Sequence, residues 1–184
     1  MASKTQKPPI KKSDEAKLEQ LDLAREQGQA YVRALQEMID KEADDGWEKR
    51  AGNYFVAYAV EHAEGMYELK DGKMEWREPG DKNAHIEISV RDGADNRFIP
   101  GLTVTVSLED ERGKQIGRHK QPFIWHPWLY HYGLNWRVPG DGKYTLNVHI
   151  KAPQFMRHDE KNGKRYAGDV EVTFKNVKIQ TGRK

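Results

Sequence analysis

The chain has 184 residues, 36% of them hydrophobic and one third charged, which is enough for one domain with a core plus an extension but not for two. Its 31 basic and 29 acidic side chains are spread along the whole length, so the formal charge of +2 offers no footprint for nucleic acid. The absence of cysteine excludes disulfides, thiolate metal sites and cysteine nucleophiles.

Residues 1–13, with Lys4, Lys7, Lys11, Lys12 and the Pro8-Pro9 pair, lack the apolar content to offset the entropy of ordering, so a disordered tail is expected there. The alternative is a basic arm for an anionic partner. MASKTQKPPIKK has no apolar stretch of the kind an export signal needs, and nowhere do eighteen apolar residues run together. Read from the sequence alone, the protein is cytoplasmic and does not insert into a membrane.

Over residues 14–46 the pattern is that of an amphipathic helix. Asp14 and Glu15 suit its N-terminus, Leu21, Ala24, Gly28, Tyr31, Leu35 and Met38 recur at steps of three or four, and Asp45-Gly46 is the expected stop. So narrow an apolar stripe predicts packing on the outside of a domain or against a partner chain.

From residue 50 to residue 180 the period falls to two. Tyr54, Val56, Tyr58 and Val60 alternate with smaller residues, Ile86, Ile88 and Val90 with polar ones, and Leu102, Val104, Val106 and Leu108 with Thr and Ser. Tyr144, Leu146, Val148 and Ile150 repeat the pattern, as do Val170, Val172 and Phe174, with a parity slip expected near Asn176. Asp71-Gly72, Asp92-Gly93, Pro139-Gly140-Asp141-Gly142 and Asn162-Gly163 are among the turns between them. About seven or more short strands with no helix between them predict an all-β fold, an immunoglobulin-like antiparallel β-sandwich carrying an N-terminal helical extension.

Two stretches of that domain carry candidate chemistry. In His85-Ile86-Glu87, residues i and i+2 of a strand share a face, so a core position for Ile86 places the imidazole and the carboxylate side by side on the other surface. Such a pair can share a metal ion; a solvated His-Glu pair is the alternative. The second stretch, Pro122 to Trp136, packs three of the five tryptophans with two tyrosines, a phenylalanine and two histidines into fifteen positions. Trp125, Trp128, Tyr132 and Trp136 are expected to form an aromatic wall, with His126 and His131 either enclosed as metal ligands or hydrogen-bonded within a core.

Taken together, His85-Ile86-Glu87, the run from Phe98 to Val104, His131-Tyr132-Gly133, the strand from Lys143-Tyr144 to His149-Ile150 and the Met156-Arg157-His158-Asp159 loop resemble the periplasmic iron-transport proteins. These are copper-binding, immunoglobulin-like bacterial dimers of ferrous-iron uptake, related to a treponemal metal-binding lipoprotein. The resemblance runs from about Tyr54 to Ile179. It implies a non-catalytic protein that binds copper and/or iron through His85, Glu87, His126, His131 and His158, the last reaching across a homodimer interface. It further implies Glu64 and Met66 as outer ligands, a membrane iron permease as partner and a periplasmic location, which would mean that an export leader has been removed; the alternative is a cytoplasmic protein. Where the family has a methionine before the HYG histidine, this chain offers His126, an exchange of thioether for imidazole that favours Fe(II) or Cu(II) over Cu(I). His62, His119 and His149 are read as a strand-end, a loop and an outward-facing residue, and are left out of the site.

Two other classes fit parts of the pattern. A His-x-Glu pair with a distant histidine also describes a non-heme iron oxygenase, although further protein ligands would close the positions that oxygen and substrate need. A carbohydrate-binding sandwich would instead use the four aromatic rings as an exposed platform.

Overall fold

A computed structural model describes residues 10–184. The disordered tail expected over 1–13 therefore lies largely outside the described residues. Its last positions are anchored: the Lys11 amide donates to the Asn162 side chain at 2.9 Å, and the Ser13 hydroxyl donates to Asp159 at 2.7 Å.

The helix α1 spans Leu18–Lys41, shorter at both ends than the 14–46 stripe suggests. At its start Ser13 and Ala16 form a local turn, the Ala16 amide donating to the Ser13 hydroxyl, and the Lys17 amide is taken by the Gln20 side chain. At its end the chain is captured by a sheet, with the Asp44 amide donating to the Val60 carbonyl at 2.8 Å. Residues beyond that point form β1 (Asp45–Ala51), a strand the sequence pattern hides because its side chains are mostly exposed on a sheet edge.

The remaining strands are β2 (Tyr54–Glu61), β3 (Met66–Lys70), β4 (Lys73–Arg77), β5 (Ala84–Asp92), β6 (Thr103–Glu109), β7 (Gln115–Gln121), β8 (Phe123–Ile124), β9 (His131–Trp136), β10 (Gly142–Lys151) and β11 (Val170–Ile179). They form an antiparallel open β-sandwich of two sheets, ordered β1-β2-β5-β9-β8 and β11-β10-β6-β7, with β3-β4 as a separate ribbon. No alternating buried residues mark that ribbon, whose side chains are mostly exposed, although its Asp71-Gly72 turn is legible in the sequence. Both turn residues adopt positive φ, +49° and +77°, as a tight two-residue hairpin requires. The parity slip lies where it was expected: Asn176 has φ +60°, and the β10-β11 register shifts between Tyr144 and Leu146.

Between the two sheets the alternating residues meet in the main core, with Val56, Val60, Ile86, Ile88 and Val90 facing Val104, Val106, Leu146, Val148 and Ile150. A second, smaller core forms on the outer face of the five-stranded sheet. There β2 presents Ala57 and Ala59, side chains small enough to admit the helix, and Leu35 and Met38 of α1 pack on them together with Leu129. Gly28 lets the helix lie against the turn after β5, since a Cβ there would fall 1.7 Å from the Asp95 carbonyl oxygen. The Tyr31 hydroxyl completes the seat, within hydrogen-bond distance of the Ser89 hydroxyl and the Tyr130 carbonyl. The consequence for β5 is decisive: all nine of its residues are buried, on both faces.

Candidate metal centre

His85 and Glu87 occupy the outer face of β5, as strand alternation requires, but that face is not solvated. With α1 and the 129–131 segment over the sheet, His85 is 0% and Glu87 4% exposed. Burial removes the alternative of a solvated His-Glu pair. Antiparallel pairing sets Glu87 opposite Gly133 and His85 opposite Asn135, so His131, two residues before Gly133, projects onto the same face.

The three side chains converge. Glu87 Oε1 lies 3.6 Å from His85 Nε2 and 3.2 Å from His131 Nε2, and one donor atom from each residue falls within 4.8 Å of the others. Each imidazole is oriented through its other nitrogen. His85 Nδ1 meets the Asn135 side-chain oxygen at 3.0 Å, and His131 Nδ1 meets the Leu129 carbonyl at 3.1 Å. Asn135 is itself fixed by donating to the Glu64 carbonyl at 2.7 Å. With both Nδ1–H groups so engaged, both Nε2 atoms present lone pairs towards Glu87.

Those two Nε2 atoms are buried and have no hydrogen-bond partner among the described residues, despite their nearness to Glu87. Leaving buried polar atoms unsatisfied costs roughly 1–3 kcal/mol each, and folded chains avoid it unless something else uses the atoms. Ligand bonds of about 2.0–2.2 Å place neighbouring donors roughly 3–3.6 Å apart, close to what is found here. The donor set therefore fits a transition-metal ion. Gly133 keeps the space open, because a Cβ there would stand 3.0 Å from His85 Nε2, 3.0 Å from His131 Cδ2 and 2.9 Å from Ile124 Cδ1.

Burial sets the charge state. It pushes His85 down to about 3, helped by the His131 ring and opposed by the Asn135 hydrogen bond, and His131 down to about 4. Burial likewise pushes Glu87 up to about 8, reinforced by the charges of Glu61 and Glu64 and opposed by Lys184. Near neutral pH the metal-free site thus holds two neutral imidazoles and a largely protonated carboxyl group, whose single proton can serve only one of the two Nε2 atoms and leaves the other without a partner.

The other expected residues fall elsewhere. His126 is a neighbour rather than a member of the cluster: its ring centroid lies 6.2 Å from that of His131, and its buried Nδ1 has no partner among the described residues. His158 is far more open, 91% exposed and 3.0 Å from Glu15. Glu64 sits at the margin, its carboxyl raised by burial and by Glu61, while Met66 opens the β3-β4 ribbon. No common aromatic wall exists. Tyr132 and Trp136 alternate with His131 and so face the opposite way, into the sandwich core, where the Tyr132 hydroxyl donates to the Ile99 carbonyl at 2.7 Å. Trp125 and Trp128 are exposed, with Trp128 edge-on to His126 at 5.2 Å. The same division removes the sugar platform, which needs all four rings on one surface.

Glu61 was missed. It is 3% exposed and stands directly opposite His85 in the β2-β5 pairing, hence on the same face of the sheet. The period-two pattern of β2, continued one residue past Val60, was the available signal.

The architecture is thus an open β-sandwich with a buried two-histidine, one-carboxylate donor set under a helix. A family model described as Fe2+ transport protein matches residues 36–180, and the chain belongs to that family, one of transport proteins rather than enzymes. Among solved structures it is similar to copper-reconstituted P19 from Campylobacter jejuni, at 22% identity and TM-score 0.63, over 76% of this chain and 96% of that one. A copper-bound D92H variant of the same protein matches at 21% identity and TM-score 0.62, over 74% and 96% of the two chains. FetP of uropathogenic E. coli strain F11, recombinantly expressed in the periplasm of E. coli, matches at 19% identity and TM-score 0.58, over 75% and 98%. No curated protein matches the chain. No helix among the described residues is long and apolar enough to cross a membrane.

Proposed function

We propose that this protein binds a single transition-metal ion, copper or ferrous iron, through His85 Nε2, His131 Nε2 and the Glu87 carboxylate, and that it does so in iron transport. The observation that carries this reading is the pair of buried imidazole nitrogens without hydrogen-bond partners, aimed at one buried carboxylate. Copper-bound neighbours of the same fold and membership of an Fe2+ transport family support the choice of metals.

Imidazole-rich, carboxylate-containing sites suit Cu(II) and Fe(II) better than Cu(I), which prefers thioether and thiolate. His126, whose ring lies beside that of His131 with a free buried nitrogen, is the residue best placed to join the ligand set after a small movement of the 125–130 segment. His158 is exposed and can serve a second copy of the chain, so the reading includes a metal-stabilised homodimer. Glu64 and Met66 remain outer ligands in this proposal, and delivery of the ion to a membrane permease completes the transport role.

Metal analysis of untagged protein purified with and without oxygen tests the assignment. One copper or iron per chain is expected, and protein that takes up neither under either condition rejects it. Sedimentation of metal-free and metal-loaded protein tests the dimer, which requires assembly to strengthen on loading.

A further inference from the structure

Beside the three convergent donors lies a fourth group that they do not account for. Glu61 ends β2 opposite His85, on the same sheet face and almost fully buried. One of its oxygens, Oε1, has no hydrogen-bond partner among the described residues; the other, Oε2, is paired with the Lys184 ammonium. The two partners differ in freedom. The Glu61 side chain is 4% exposed and fixed on a strand, whereas that of Lys184 is 45% exposed and sits on a long flexible stem.

Lys184 reaches this position because its backbone is strapped along the end of β2. The Ala63 amide donates to the Gly182 carbonyl at 3.0 Å, the Lys184 amide donates to the Ala63 carbonyl at 2.8 Å, and the Gly182 amide donates to the Asn83 carbonyl at 2.8 Å. The ammonium can therefore leave Glu61 while the strap stays in place. The two events compete for the same oxygens: an ion bonded to Glu61 takes the carboxylate charge that the ammonium neutralises in the metal-free protein.

We propose that Glu61 is a further ligand of the bound ion and that Lys184 holds its carboxylate in the metal-free protein, so that loading exchanges an ammonium for a metal. This inference rests on the metal-binding reading of His85, Glu87 and His131. The test is Cu(II) titration of the full chain and of its Glu61→Gln, Lys184→Met and Glu87→Gln variants against a competing chelator, with electron paramagnetic resonance of each loaded form. Lys184→Met removes a competitor and should raise affinity by about fivefold, the scale of a partly exposed ion pair, with a loaded spectrum identical to wild type. Glu61→Gln should lower affinity by about tenfold and change the copper hyperfine pattern, because a bound oxygen is lost.

A Glu61→Gln spectrum indistinguishable from wild type overturns the ligand assignment, and a Lys184→Met affinity within about twofold of wild type overturns the exchange. Failure of the underlying reading would show separately, as a Glu87→Gln variant that binds like wild type. Lys184→Met, at a half-exposed position, keeps the test open if Glu61→Gln does not fold.

Discussion

The charge state of Glu87 makes metal binding a proton-releasing event, and the resulting pH dependence can be worked out from the site. Burial and the neighbouring carboxylates hold Glu87 up near 8, while burial holds His85 near 3 and His131 near 4. A metal needs the carboxylate ionised and the imidazoles neutral. With a carboxyl group titrating near 8, about 10% is ionised at pH 7 and about 1% at pH 6, so apparent affinity should fall about tenfold per pH unit below 8. The histidines add no slope in this range because they are already neutral. One proton per ion should be released at pH 6.5, measurable by calorimetry in buffers of different ionisation enthalpy, and chelator competition from pH 6 to 9 gives the slope directly. Glu87→Gln should abolish both signals. Affinity that is flat from pH 6.5 to 8, or that falls with a slope of two below pH 6.5 as two ordinary histidines would dictate, refutes the reasoning.

Three further outcomes follow from packing and ligand chemistry. Gly133→Ala forces a methyl group against His85 Nε2, His131 and Ile124, so a stability loss of about 1–2 kcal/mol should accompany metal affinity lowered by tenfold or more; unchanged affinity would mean that this space is not the site. Gly28→Ala drives a Cβ into the Asp95 carbonyl, and the helix should lift from the sheet at a cost of about 1–3 kcal/mol, with faster amide exchange on β5 as the readout. His126→Met should shift the Cu(I)/Cu(II) affinity ratio towards Cu(I) in chelator competition, and an unchanged ratio would exclude His126 from the ligands.

The strands of the core were readable because valine and isoleucine alternate so regularly in β2, β5, β6 and β10, and the same period put His85 beside Glu87. What alternation along one strand cannot convey is what lies over it. The burial of His85 and Glu87 depends on α1, whose docking rests on contacts distant in sequence: Gly28 against Asp95, and Leu35 and Met38 against Ala57 and Ala59. The two alanines were a legible hint, since a solvated sheet face seldom needs such small side chains. In the aromatic segment the same period holds: residues 131, 133 and 135 face the site, while Tyr132 and Trp136 face the core, so a dense run of rings does not make a common surface. Lys184 was beyond any local pattern, as 123 positions separate it from Glu61.

The central claim is the place of the ion, and anomalous diffraction from crystals of the copper-loaded protein tests it most directly. A single strong peak about 2.0–2.2 Å from both His85 Nε2 and His131 Nε2, and within bonding distance of Glu87, is the expected result. A peak at the exposed His158 or the partly buried His149, with His85 and His131 still unliganded, would contradict it.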